Sequence, residues 1–111
     1  MVRVEDYPKC IENLITRYGQ YKLAYGDVET QVVIDREHQH YHLFNVGWNK
    51  NERIRGSVLH IDIKEGKIWI QHDGTEIGVA NELTEMGIPK QDIVLAFHAP
   101  YKRQFTGFAV G

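Results

Sequence analysis

The chain lacks almost everything that would staple, anchor or arm it. It has one cysteine, Cys10, in 111 residues. A lone thiol closes no internal disulfide, so the fold must rest on its own core, and this usage fits a reducing compartment. Cys10 falls in a helical pattern, where it reads as a packing residue rather than a nucleophile. Ser57 is the only serine, and no strand-to-helix turn presents it. No apolar run approaches the roughly 20 residues that a membrane helix needs. The opening stretch, MVRVEDYPKC, holds acids and a proline where a signal peptide carries an apolar core. The expectation is a cytoplasmic protein with no membrane contact.

A surplus of basic charge is also missing. Thirteen basic residues face fifteen acidic ones, for a net charge of −2. Autonomous DNA binders usually carry excess Lys and Arg, because phosphate neutralisation supplies much of their affinity. Arg53 with Arg55, and Lys102 with Arg103, are pairs too small to grip a duplex alone. No glycine-rich loop has phosphate-binding spacing, and there are no repeats, linkers or low-complexity tracts. The length fits one domain, residues 1–111. Such a chain buries roughly two-thirds of its unfolded surface, enough for a core without staples.

What is present is clear patterning. Tyr7, Ile11, Leu14, Ile15 and Tyr18 recur at helical spacing. Pro8 fits only a first turn, so this helix begins around residues 5 to 7 and stops near Gly19. Val28 to Arg36, Tyr41 to Trp48, Arg53 to Lys64 and Lys67 to His72 then read as four strands. Short turns join them into an antiparallel meander. Glu65-Gly66 is a tight-hairpin turn, and Gly56 suggests a bulge or bend in the third strand. Asp73-Gly74-Thr75-Glu76 reads as a cap for a helix over Thr75 to Met86, with Ile77, Ala80, Leu83 and Met86 as its apolar stripe. Gly87 ends that helix, Ile88 can fold back onto Leu83, and Pro89 forbids continuation. Asp92 to His98 is a fifth strand, free to lie parallel to a neighbour. Ala99 to Gly111 is a tail. The order α-β-β-β-β-α-β is an α+β domain.

The polar residues suggest no reaction. His38, His40 and His42 alternate, so on a strand they would share a face. Alternating histidines near a carboxylate can hold zinc or a similar ion. Yet His38 and His40 fall in or beside a turn, where a rigid site is hard to build. His60 and Asp62 read as the polar face of the third strand, with a cross-strand hydrogen bond to a neighbour. Glu82 and Glu85 read as a solvated helix face. The sequence thus gives no catalytic residue, no cofactor site and no metal site.

The aromatics say more. Trp69 points opposite to Ile68 and Ile70. Phe44, Val46 and Trp48 are offset from Tyr41 and Leu43. A sheet that is apolar on both faces, with two helices to cover it, leaves a patch open for a partner. The tail adds Phe105, Phe108 and Val110 beside Lys102 and Arg103. It can fold onto its own sheet, add a strand to a neighbour or dock elsewhere. Trp48, Trp69, Phe105, Phe108 and Arg103 are therefore the expected partner-binding residues.

The chain also resembles the XisI family, the fdxN element excision controlling factors of cyanobacteria. The likeness is carried by Tyr25-Gly26-Asp27-Val28-Glu29, Val46-Gly47-Trp48, Gly56, His60-Ile61-Asp62-Ile63 and Lys67-Ile68-Trp69-Ile70-Gln71. It continues through Asp73-Gly74-Thr75-Glu76, Ala80-Asn81-Glu82-Leu83, Gly87-Ile88-Pro89, Asp92 to Phe97 and Thr106-Gly107-Phe108-Ala109. The resemblance implies a non-catalytic accessory factor for excision of a DNA element. Together with the open sheet face and the charge balance, the expectation is a homodimer that acts through protein contacts with a XisH-like protein and a site-specific recombinase, and touches DNA indirectly or weakly. Two other classes stay open: a directionality factor that binds DNA itself, and a small metal-dependent enzyme built on the histidines.

Overall fold

Tyr7, Ile11, Leu14 and Ile15 are all buried in α1 (Tyr7–Gly19), so helical spacing located the first element correctly. A 3-10 turn, Val4–Asp6, leads into it, and Pro8 occupies the first turn, where its missing N–H costs nothing. The structure is a computed structural model that describes residues 2–21 and 26–111. Tyr25, in the connector before the first strand, lies outside the described residues.

The strands are β1 (Asp27–Asp35), β2 (His40–Asn49), β3 (Glu52–Lys64), β4 (Lys67–Asp73) and β5 (Ile93–Leu95). They form one five-stranded sheet in chain order, β1-β2-β3-β4-β5. The first four pair antiparallel, as the meander predicts, and β5 lies parallel to β4. Glu65 and Gly66 both take positive φ, 53° and 74°, which closes the β3–β4 hairpin in two residues. β5 is shorter than Asp92 to His98. After Leu95 only one more amide, Ala96 N–H, reaches β4, donating to Ile70 O, and a turn follows.

The core lies on one face of the sheet. Tyr41 and Leu43 of β2, Leu59, Ile61 and Ile63 of β3, Ile68 and Ile70 of β4 and Ile93 of β5 meet α1 and α2 there. Each fully buried aliphatic side chain contributes roughly 1.5–3 kcal/mol before ordering costs. Both helices therefore share a single side. Glu82 tightens the arrangement, accepting from Arg17 Nη2 at 2.9 Å and from the Tyr18 hydroxyl at 2.6 Å. This corrects the reading of Glu82 as a solvated residue: it links the two helices.

The second helix, α2 (Val79–Glu85), starts later than Thr75. The reason is Gly78, whose φ of 90° is incompatible with a helix running through it. Asp73 still caps the helix, but across a loop. Its carboxylate accepts from Thr75 N–H at 2.9 Å, from the Thr75 hydroxyl at 2.6 Å and from Val79 N–H at 2.9 Å. Val79, Ala80 and Leu83 are the buried residues, whereas Ile77 and Met86 of the expected stripe are exposed. The helix end matches the expectation in detail. Gly87 has φ 104°, its N–H donates to Thr84 O, and Ile88 N–H donates to Leu83 O. This is a Schellman ending with Ile88 buried in the core.

Two irregularities shape the sheet. Leu43 pairs with Leu59 and Phe44 with Ser57, so Val58 is an unpaired bulge residue in β3. His60 pairs with His72 and Ile61 with Ile70, so Gln71 is the extra residue in β4. The bulge expected at Gly56 thus falls at Val58. Gly56 pairs normally with Asn45, and a β-carbon there would meet nothing. The glycine that matters is Gly47. A β-carbon at this position would overlap the Asp27 carbonyl and lie 2.6 Å from the Val28 α-carbon.

Two stability predictions follow from these contacts. Gly47→Ala must push β1 away from β2, which lowers the unfolding free energy by roughly 1–3 kcal/mol in chemical denaturation. An unchanged midpoint would mean that β1 moves aside freely. The second concerns alkaline pH. Burial, then a hydrogen bond to Asp92, pushes the Tyr7 phenol up to about 12. Burial, then Glu82, pushes Tyr18 up to about 12 as well. Unfolded tyrosines ionise near 10. The native state therefore holds these protons longer, and the stability they contribute is full below about pH 10 and lost on the way to 12. Denaturation midpoints should fall over that window, and fall less steeply in a Tyr7→Phe, Tyr18→Phe double variant. Equal slopes would refute the assignment.

Candidate interaction surface

Side chains alternate along a strand, so the residues between the core positions face the other side of the sheet. The register aligns them in rows. Val33 lies beside His42, which lies beside His60. Gln31 lies beside Phe44, Glu29 beside Val46, and Trp48 beside Arg53. Neither helix covers this face. The molecule measures 44 × 29 × 24 Å, and the 13-residue β3 spans about 43 Å of that length at 3.3 Å per residue. The 13-residue α1 reaches only about 20 Å. Among the described residues neither helix reaches the far end of the β2–β3 hairpin.

The tryptophans fare differently. Trp48, near that far end, is 51% exposed, with the Arg53 guanidinium 5.3 Å from its ring centre. Trp69 is half-buried. Lys64 Nζ stands 4.5 Å from its ring centre and the Arg103 guanidinium 5.6 Å, both in cation–π range. Its indole N–H is buried without an acceptor among the described residues.

The tail folds onto its own sheet. Pro100–Phe105 forms a 3-10 turn. Arg103 donates to the His98 and Ala96 carbonyls at 3.1 and 3.2 Å. Ala109 N–H donates to Ile93 O and forms a bridge beside Val94. Phe108 packs against the core, with Lys90 Nζ near its ring. Phe105 is left 80% exposed. Of the five residues singled out in the sequence, Trp48 and Phe105 are thus open. Trp69, Arg103 and Phe108 are engaged within the chain.

The open face holds a polar cluster at the end away from the β2–β3 turn. Asp62 is the only charged residue classed as buried among the described residues, at 7% exposure. Burying a carboxylate is expensive unless it is paired. Its Oδ1 takes His40 Nδ1 at 2.7 Å and His60 Nε2 at 3.1 Å, and its Oδ2 accepts from Gln71 Nε2 at 3.4 Å. The His42 ring stacks on His60 with centres 3.9 Å apart, and on Phe44 at 5.4 Å. Burial, and then His60, push His42 below its ordinary pKa. His38 is separate: it stays in the β1–β2 turn, bonded to Asp35.

The run His38 to His42 therefore splits. The expected cross-strand bond of Asp62 exists, but its donor across the strand pair is His40. Alternation alone could have paired His42 with His60 only if the β2–β3 register had been known. A second feature left no trace in the sequence reading. A cleft of about 520 Å³ opens between α1, α2 and the sheet, lined by Tyr18, Tyr21, Asn45, Val58, Thr75 and Glu82 among others. It forms where the Val58 bulge and the late start of α2 leave space.

The arrangement of chain and sheet is shared with known proteins. The family profile described as XisI protein matches residues 1–110. Among solved structures, a XisI-like protein from Anabaena variabilis ATCC 29413 is 43% identical and superposes with a TM-score of 0.91, over 98% of this chain and 100% of that one. The fdxN element excision controlling factor XisI from the same organism is 32% identical with a TM-score of 0.84, over 97% of this chain and 98% of that one. No curated protein matches the sequence. By profile, identity and fold together, the chain belongs to the XisI family.

Proposed function

We propose that the protein is a non-catalytic accessory factor controlling excision of a DNA element, and that it works by binding other proteins. The observation that carries this reading is the uncovered face of the sheet, with Trp48 half-exposed at its far end. Val33 and Val46 lie on the same face, and Val33 is 48% exposed. These apolar side chains are interleaved with Glu29, Gln31, Arg53 and Arg55 on the neighbouring strands, a mixed surface of the kind that protein interfaces use. Family membership supplies the biological setting: a relative of 32% identity is an excision controlling factor.

In this reading Trp48 and Phe105 are the anchors, since exposed aromatics supply most of the energy when an interface closes over them. Trp69, Arg103 and Phe108 hold the tail in place and frame its end of the surface. The partners are a second copy of the chain, a XisH-type protein and the site-specific recombinase, and the setting is the cytoplasm. The net charge of −2 supports protein contacts over independent DNA binding. Arg53 and Arg55 beside Trp48 and Val46 leave room for a secondary phosphate contact inside a larger assembly.

The test is co-purification with a XisH-type protein from the same genome, with masses measured by analytical ultracentrifugation. The intact protein should bind at micromolar concentration or below. Trp48→Ala should weaken binding by roughly thirtyfold, the effect of losing an interface anchor worth about 2 kcal/mol. Its circular dichroism should stay unchanged, because the side chain is exposed. No complex with the XisH-type protein, or a Trp48→Ala protein that binds normally, would end the proposal. A salt-sensitive shift of element-end DNA by the isolated chain would favour direct DNA reading instead.

A further inference from the structure

We propose that His42, His60 and Asp62 form a binding site for a transition-metal dication of the zinc type. The imidazole nitrogens of His42 and His60 and a carboxylate oxygen of Asp62 lie within 4.8 Å of one another. The two imidazoles are borderline donors that favour zinc and its neighbours over calcium or magnesium, and zinc also accepts the one hard carboxylate oxygen.

The framework is rigid. His42 and His60 are directly opposite residues of β2 and β3, and Asp62 is two residues beyond His60 on the same face. Backbone pairing rather than a loop fixes where these side chains leave the sheet, which leaves only side-chain rotation to complete the site. His60 Nε2 and Asp62 Oδ1 are 3.1 Å apart, close to the ligand spacing of a tetrahedral centre with bonds of about 2.1 Å. His42 must swing towards them by rotation about its side-chain torsions. The two rings are stacked with centres 3.9 Å apart, so this rotation opens the stack and turns an in-plane nitrogen of His42 towards the ion.

The surroundings fit as well. A metal-bound carboxylate needs partners that fix its orientation. Asp62 has two: His40 Nδ1 on Oδ1, and Gln71 Nε2 on Oδ2. Gln71 is the extra residue of the β4 bulge, which places an amide beside the buried acid. An anion that is 7% exposed among imidazoles is the charge a dication would balance. Three protein ligands leave a coordination position facing out from the sheet, open to water or to a donor from another molecule. The site stands on its own geometry, whether or not this face binds a protein partner.

The experiment uses tag-free protein, stripped by chelator dialysis and titrated with zinc sulfate against a chromophoric zinc indicator, with elemental analysis of the loaded protein. One zinc per chain should bind with micromolar or tighter affinity. His42→Ala and Asp62→Asn should each abolish that binding. Gln71→Ala should weaken it by about 10–100-fold, as loss of an orienting partner does. His98→Ala, in the tail, should leave it unchanged. If Asp62→Asn fails to fold by circular dichroism, His42→Ala decides the matter, because that residue is partly exposed on the sheet. No zinc bound at micromolar free ion, or equal affinity in wild type and His42→Ala, overturns the proposal.

Discussion

The structure depends on one constraint: both helices pack on the same face of the sheet. The reason is quantitative. Twenty helical residues, thirteen in α1 and seven in α2, must cover a sheet whose longest strand has thirteen. They are enough for one face, where Tyr41, Leu43, Leu59, Ile61, Ile63, Ile68 and Ile70 gather into a continuous core. They are not enough for two. The chain adds the tail as a partial cover near β5, where Ala109 bridges Val94 and Arg103 reaches over Trp69. Among the described residues, nothing forms a second layer between Trp69 and the edge of β1. The exposed aromatic, the buried acid and the stacked histidines all belong to that uncovered half.

Much of this was legible because local rules and tertiary packing agree. The Gly87-Ile88-Pro89 stop, the Glu65-Gly66 turn and the first helix rest on interactions within a few residues of one another. Each follows from the chain's own geometry. The failures share a different cause. A capping pattern at Asp73 is real, but the capped amides include Val79, six residues on, because Gly78 diverts the chain first. Gly56 suggested a bulge, yet the bulge forms at Val58, where Leu59 must stay in the core while Phe44 faces out. Sheet register decided that position, and register is set between strands.

The same limit explains the polar cluster. His40, His42, His60, Asp62 and Gln71 were all visible as residues. What brings them together is a pairing of β2 with β3 and a slip of one residue between β3 and β4. Periodicity gives which face a residue takes, but not which residue stands opposite. A reading by alternation placed His38 with His40 and His42, whereas the turn removes His38 and register adds His60 and Asp62. The one buried charge of the described residues therefore sits where sequence patterning had the least to say.

A buried acid on an otherwise open face needs a physical justification. Replacing Asp62 by an apolar residue would cost the sheet no ladder bond and would add to a dry surface. Three polar neighbours hold the carboxylate instead, and two of them, His40 and His60, converge on a single oxygen. Hydrogen bonds of this kind offset the desolvation of an anion but rarely exceed it. Stability alone is therefore a weak reason for the cluster. Geometric specification is a stronger one: the network pins β2, β3 and β4 side by side on the uncovered face, at the end away from the β2–β3 turn. A flat, apolar face with no such device invites register slip and edge-to-edge association. The cluster lets this domain keep one face open while holding a single arrangement of strands.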